Sequence, residues 1–282
     1  MNRVLSTHLF VQQRLTTALL QRVEQAGIPA VEIFCAAQHI DWHNKSQIME
    51  LAHWFRDSPL QLHAIHAPMY TDEIWGRSGP HTHINITERV KSERIKWTGE
   101  IKRALEIAEV IPCKYVIQHL GVTGQEYSDY SVDAAFTALE DISLFAKQRG
   151  VEVLLENTPN DLSTAERLNL FNGMTHLNLN YVFDTGHANL GAGVEQEFLL
   201  MRDRIRSLHL HDNDGQTDQH LFPLDPKGTI DWTRTMELLR TKPDQYPLLL
   251  ELRDNGDLEH PAQDAARTLD ALENLRPTSN DK

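Results

Sequence analysis

The chain is short of several things, and each shortage excludes a class. Only two of its 282 residues are cysteine, Cys35 and Cys113, far apart and outside any CxxC spacing. That pattern excludes a disulfide framework and a thiolate metal site, fits a reducing compartment, and leaves both as small buried hydrophobes. No apolar run approaches the roughly 18 residues of a membrane span, and the N-terminus loses its apolar character too early for a signal peptide. A cytoplasmic protein without membrane contact is the expectation. Basic residues are scarce, 27 Lys and Arg against 40 Asp and Glu, a net charge of −13 that weighs against a non-specific polyanion binder. There is no low-complexity tract and no Pro/Gly/Ser linker, so residues 1–282 read as one domain, with 276–282 as a frayed tail. A chain this long buries enough surface to fold without staples.

What is present is a recurrent pattern of short apolar runs alternating with amphipathic stretches. The runs lie at 4–9, 30–35, 60–66, 114–120, 151–156, 180–184, 207–211 and 248–252. Helical periodicity falls at 15–25, 45–56, 90–110, 134–148, 165–171, 195–204, 232–240 and 261–275. Strands apolar on both faces and alternating with helices imply parallel pairing, and eight such units make an α/β protein of the (β/α)8 TIM-barrel class. An open doubly wound sheet is the competitor, but His8-Leu9-Phe10-Val11-Gln12 follows the first strand where that fold would carry a glycine-rich phosphate loop.

Fifteen histidines are the abundant feature, and their placement carries the chemistry. His66, Gln118-His119, Glu156, Asp184-Thr185-Gly186-His187, His209-Leu210-His211 and Glu251 each put a metal-capable or acid/base side chain at the C-terminal end of an apolar run. In a barrel those ends form one ring. Side chains alternate along a strand, so Glu156 shares the phase of Leu154, and His119 that of Ile117. Any one buried histidine is ordinarily a hydrogen-bonded structural residue. Carboxylates and imidazoles crowded together are costly unless a cation neutralises them, so the joint placement argues for a metal site. Asp218-Gln219-His220 adds a second close pair after the seventh strand. His211 is a neighbour of the ligands or a contact for substrate. His63 falls in the opposite phase and is expected to face the helices. His39, His43, His53, His81, His83, His176 and His260 are expected mostly at the surface, with His8, ending the first strand, the exception. Glu32 fits a supporting role as well as a catalytic one. Oxygen and imidazole donors without cysteine suit Zn2+ or Mn2+, with Co2+ or Mg2+ as alternatives.

The order His66, His119, Glu156, Asp184-x-x-His187, His209, Asp218-x-His220, Glu251 resembles the xylose-isomerase-like TIM-barrel superfamily, which holds sugar isomerases and epimerases and the endonuclease IV group. The resemblance spans nearly the whole chain. It implies a single-metal tetrad, Glu156, Asp184, His209 and Glu251, as in the epimerases. All nine positions with which the endonuclease group holds three zinc ions have matching residue types as well. Two departures favour the sugar enzymes: the loop 214–220 lacks the arginines of the nucleases, and the loop after the third strand does not look like their DNA-inserting loop. Asp225-Pro226 interrupts the glycine turn of the isomerase-like stretch. The implied activity is isomerisation or epimerisation of a small sugar or sugar phosphate, with Glu156 and Glu251 moving the proton. His187 and His211 are expected on substrate hydroxyls, Trp75 stacked on the substrate, and Arg77 on an anionic group. The alternative is a zinc phosphodiesterase acting at abasic sites in DNA; a metal-holding sugar binder is a third class.

Overall fold

A computed structural model describes residues 1–75, 79–254 and 256–276. Arg77 and the tail beyond Arg276 lie outside those residues. Eight parallel strands follow the chain: β1 Arg3–Ser6, β2 Ala30–Phe34, β3 Gln61–His66, β4 Tyr115–Gln118, β5 Glu152–Glu156, β6 Asn180–Asp184, β7 Ile205–His209 and β8 Leu248–Leu250. They pair in the order β7-β6-β5-β4-β3-β2-β1-β8. A parallel bridge between Leu210 and Leu250 joins the two ends, so the sheet closes into the expected TIM barrel.

Helices α1 Thr17–Gln25, α2 Lys45–Asp57, α3 Lys91–Leu105, α4 Asp129–Lys147, α5 Ala165–Met174, α6 Thr185–Leu190, α7 Val194–Met201, α8 Trp232–Leu239 and α9 Pro261–Asn274 connect them. Their starts are written locally. Thr16, Asn44, Ser128, Thr164 and Asp231 each accept a backbone N–H of the first turn, the usual remedy for the unpaired donors of a helix start. The helix expected over 90–110 ends at Leu105 and continues as a 3-10 turn, Glu106–Glu109. Among the described residues, no helix is long and apolar enough to cross a membrane.

Inside the cylinder, Ala64, Ile117, Leu154 and Val182 form a small apolar layer with Tyr115 against it. Each stands two residues before His66, His119, Glu156 and Asp184, so the pleat turns those four side chains inward one layer higher. His63 departs from the expectation that it faces the helices. In the β2–β3 ladder Val31 pairs with Leu62 but Glu32 pairs with Ala64, leaving His63 as an extra residue. Such a bulge breaks strict alternation. The His63 ring turns inward, its Nε2 lying 3.1 Å from the Ser207 hydroxyl across the barrel, and burial pushes its pKa down to about 4.

Candidate metal centre

The C-terminal rim of the barrel collects all nine predicted ligands. Glu156 stands at the centre with both oxygens facing imidazoles. Its Oε1 lies 3.0 Å from His209 Nδ1 and 3.3 Å from His187 Nδ1. Its Oε2 lies 3.0 Å from His119 Nε2 and 3.5 Å from His66 Nε2. Asp184 has two tasks, because the Asp-x-x-His spacing is also that of a helix cap and the residue it caps. Its Oδ1 accepts the His187 N–H at 2.6 Å to start α6, while its Oδ2 lies 3.0 Å from His211 Nε2. Glu251 Oε2 lies 3.4 Å from His209 Nδ1. Asp218 Oδ2 lies 3.3 Å from His187 Nε2 and 3.4 Å from His220 Nε2.

Residues around this ring fix how its members point. His209 presents Nδ1 to the carboxylates because its Nε2 lies 3.3 Å from Glu32 Oε2, and Glu32 in turn accepts the Ser6 hydroxyl at 3.0 Å. A buried carboxylate behind an imidazole sets its tautomer and raises its basicity, so Glu32 supports a ligand. His187, His211 and His220 donate Nδ1–H to the carbonyls of Asn157, Asp212 and Glu251 at 2.9, 3.4 and 3.0 Å, leaving each Nε2 for the centre. Asn157 also bonds Asp184 from both sides, accepting its N–H at 2.8 Å and donating to its carbonyl at 3.0 Å. Asp212 holds the loop that carries Asp218 and His220. Its side chain accepts the N–H groups of Thr229 and Ile230 and the Trp232 indole N–H, at 3.0, 3.2 and 2.6 Å. Gly228 is required there, since a Cβ would lie 2.2 Å from Asp212 Oδ2. The Asp225-Pro226 interruption is accommodated with Leu224 at φ 71°.

Burial raises the acid pKa of every carboxylate in the ring, but the imidazoles decide the outcome. His209 and His119 hold Glu156 well below the usual range, and His220 and His187 do the same for Asp218. Glu251 is the exception: burial dominates, and its pKa is raised. Conversely, burial lowers His187 and His209, but Asp184 and Asp218 around the first, and Glu156 and Glu251 around the second, carry both well above the ordinary imidazole range. His119 is lowered, burial outweighing Glu156.

The donor set fits divalent cations. Four groups, three of which share members, bring one donor atom per residue within 4.8 Å of one another: Glu156, Asp184, His209 and Glu251; His66, His119 and Glu156; His66, His209 and Glu251; and His187, His211, Asp218 and His220. Among the described residues, two buried carboxylate oxygens, Glu251 Oε1 and Asp218 Oδ1, have no hydrogen-bond partner, an expensive state that a cation relieves. Beside the ring opens a cleft of about 100 Å3, walled by Phe34, Met69, Tyr70 and Trp75 on one side and by His66, His119, His187 and Glu251 on the other. Trp75 thus reaches the cleft, and Arg77 lies outside the described residues. Arg253 stands at the rim and His8 in the wall, its Nδ1 3.0 Å from the Leu252 carbonyl. His211 is fully buried behind Asp184 and does not line the cleft. His39, expected at the surface, is buried, with its Nδ1 on the Gln13 carbonyl. Nothing in single residue types marks Asn157, Asp212 or Arg253; the signal for Glu32 was its place at a strand end.

The family model described as xylose isomerase-like TIM barrel matches residues 20–275. Protein MJ1311 of Methanocaldococcus jannaschii is 28% identical over 248 residues, covering 83% of this chain and 78% of its own length. Among solved structures, a D-tagatose 3-epimerase-like protein superposes with a TM-score of 0.75 at 21% identity, covering 97% of both chains. The IOLI protein with a bound zinc atom superposes with a TM-score of 0.72 at 18% identity, covering 97% of this chain and 96% of its own.

Proposed function

We propose that this chain, which belongs to the xylose isomerase-like TIM-barrel family, is a divalent-metal-dependent isomerase or epimerase acting on a small sugar or sugar phosphate. The observation that carries the reading is Glu251. It is a buried carboxylate on the cleft wall with one oxygen unpartnered among the described residues, and it shares a four-donor set with Glu156, Asp184 and His209. The names of the D-tagatose 3-epimerase-like and zinc-bound structures support the same reading.

Glu156, Asp184, His209 and Glu251 would hold the ion, with His66, His119, His187, Asp218 and His220 offering further donors. A divalent cation there supplies Lewis acidity, polarising a carbonyl and acidifying the neighbouring C–H. Glu251 is the group that takes and returns the proton. It lines the cleft, and among the described residues its Oε1 has no hydrogen-bond partner and is free to accept. Glu156, hydrogen-bonded to His119 and His209 and within 3.5 Å of His66 and His187, stays ionised, so it is the anionic partner. In a 1,2-isomerisation Glu251 alone can relocate the proton, whereas an epimerisation requires Glu156 to serve the second face. Trp75 stacks on the substrate, His187 binds a hydroxyl, and Arg253 with Arg77 meets any anionic group.

The phosphodiesterase reading has one observation in its favour, the presence of donors beyond a single tetrad. Incubation with a panel of ketoses and aldoses in D2O, and separately with a duplex containing an abasic site, distinguishes them. Deuterium incorporation next to the carbonyl supports the isomerase. Strand nicking without incorporation overturns it.

A further inference from the structure

We propose that His8 is a substrate-binding residue whose Nε2, a neutral acceptor on the cleft wall, takes the hydrogen bond of a substrate hydroxyl remote from the metal. The molecule that enters then carries a hydroxyl, and not an ionised oxygen, at that end. The inference rests on reading the cleft as a sugar site and adds a demand on which sugar fits.

His8 stands just beyond β1 and is almost wholly buried, 4% exposed, yet it lines the cleft. Its Nδ1 lies 3.0 Å from the Leu252 carbonyl. A carbonyl only accepts, so a neutral ring there carries its proton on Nδ1 and its lone pair on Nε2. The preceding carbonyl treats His220 in the same way, with Glu251 O 3.0 Å from its Nδ1. Two consecutive carbonyls beyond β8 thus fix two imidazoles in one tautomer, their ring centres 4.6 Å apart. Their uses differ. His220 Nε2 faces Asp218 and belongs to a donor group, whereas His8 belongs to none of the four, and among the described residues its Nε2 has no partner.

The surroundings oppose a charge on this ring. Phe34 packs against it at 4.6 Å between ring centres, and the ionisable neighbours that act on it most are His220, Arg253 and His66, all cationic when charged. Burial first, and these neighbours after it, hold its pKa well below the ordinary imidazole range. A cation on the rim adds to the same effect. A nitrogen with a lone pair and no proton accepts from O–H and repels an ionised phosphate or carboxylate oxygen. Arg253, on the same rim, is the group for an anion. The two residues therefore sort the ends of the substrate, hydroxyl at His8 and any charge at the guanidinium.

The test measures dissociation constants of Zn2+-loaded protein for D-fructose and D-tagatose, each with and without a terminal phosphate, and for the monodeoxy analogues of the tightest binder. One analogue, lacking the hydroxyl that reaches His8, is expected to bind about 3- to 10-fold more weakly than its parent. In His8→Phe, which keeps a ring against Phe34 and His220, the parent should lose that factor and the ratio should fall to about one. Disturbed packing alone weakens parent and analogue alike and leaves the ratio intact. His8→Gln, which returns an acceptor oxygen, should restore part of it. If His8→Phe does not fold, histidine nitrogen NMR of unaltered protein decides: His8 Nε2 should be unprotonated and should shift with the parent sugar but not with that analogue. An unchanged ratio in folded His8→Phe, a protonated Nε2, no discriminated analogue, or no binding of any of these sugars overturns the proposal. Binding with a His8-dependent ratio but without deuterium incorporation overturns the isomerase reading and leaves this one standing; incorporation with an unchanged ratio does the reverse.

Discussion

Removing Glu32 should weaken metal binding without touching a ligand. The carboxylate is fully buried and lies 3.3 Å from His209 Nε2, on the side of the ring away from the cluster. In Glu32→Ala the buried His209 N–H loses its carboxylate acceptor, and the ring is free to turn its other nitrogen towards Glu156. Loss of such a supporting partner costs roughly 10- to 100-fold in metal affinity, which corresponds to about 1.4–2.7 kcal/mol. Glu32→Gln keeps an acceptor for His209 and points its amide at the Ser6 hydroxyl, so only the charge is lost and about tenfold is expected. Competition for Zn2+ against a coloured chelator, with circular dichroism to establish folding, gives both constants. Equal affinity in folded Glu32→Ala and unaltered protein would refute the argument that this carboxylate orients His209.

Glu251→Gln should retain bound metal yet lower proton exchange at substrate about 10^2- to 10^4-fold; near-normal exchange removes Glu251 from the proton-moving role. Gly186→Ala places a methyl group against the His211 ring and should destabilise the protein by about 1–3 kcal/mol in denaturant titration, and a neutral result would mean that the ring can leave. The pH dependence follows from the shifted groups. In metal-free protein the pKa values of His187 and His209 are raised, so the stability they contribute is complete below about pH 6.5 and is lost as pH climbs through their folded values. Glu156 and Asp218 are depressed, and their contribution is lost only as pH falls through their lowered values. Cation binding runs opposite to the histidine effect because ligands must release protons. The gap in thermal midpoint between loaded and stripped protein should therefore widen from about pH 6 to about pH 8; a narrowing gap contradicts the ligand assignment.

The barrel was legible because parallel strands covered on both faces leave continuous apolar runs, and the rim because six runs ended on the same unusual residue types in the inward phase. Where the reading failed, the backbone departed from its ideal repeat. Counting in twos faces His63 outward, and an added residue in the β2–β3 ladder reverses it. Helix α6 is not legible from periodicity because six residues carry too little of it, although Asp184 announces it as a cap. The partners that orient the ring, Glu32 behind His209 and the carbonyls of Asn157, Asp212 and Glu251, meet it from distant parts of the chain or through main-chain atoms that composition does not mark.

The join between β7 and β8 has a mechanical consequence. Elsewhere around the cylinder neighbouring strands share at least three registered residue pairs, but here one bridge, Leu210 to Leu250, completes the circuit. His209 and His211 stand on one side of that join and Glu251 on the other, and the His220 imidazole is fastened to the Glu251 carbonyl. An ion gripped by His209 and Glu251 together would act as the buckle of a hoop at its thinnest point. Stripping it should let the staves part there first, with amide exchange quickening at Leu210 and Glu251 before it does on the far side, between β3 and β5.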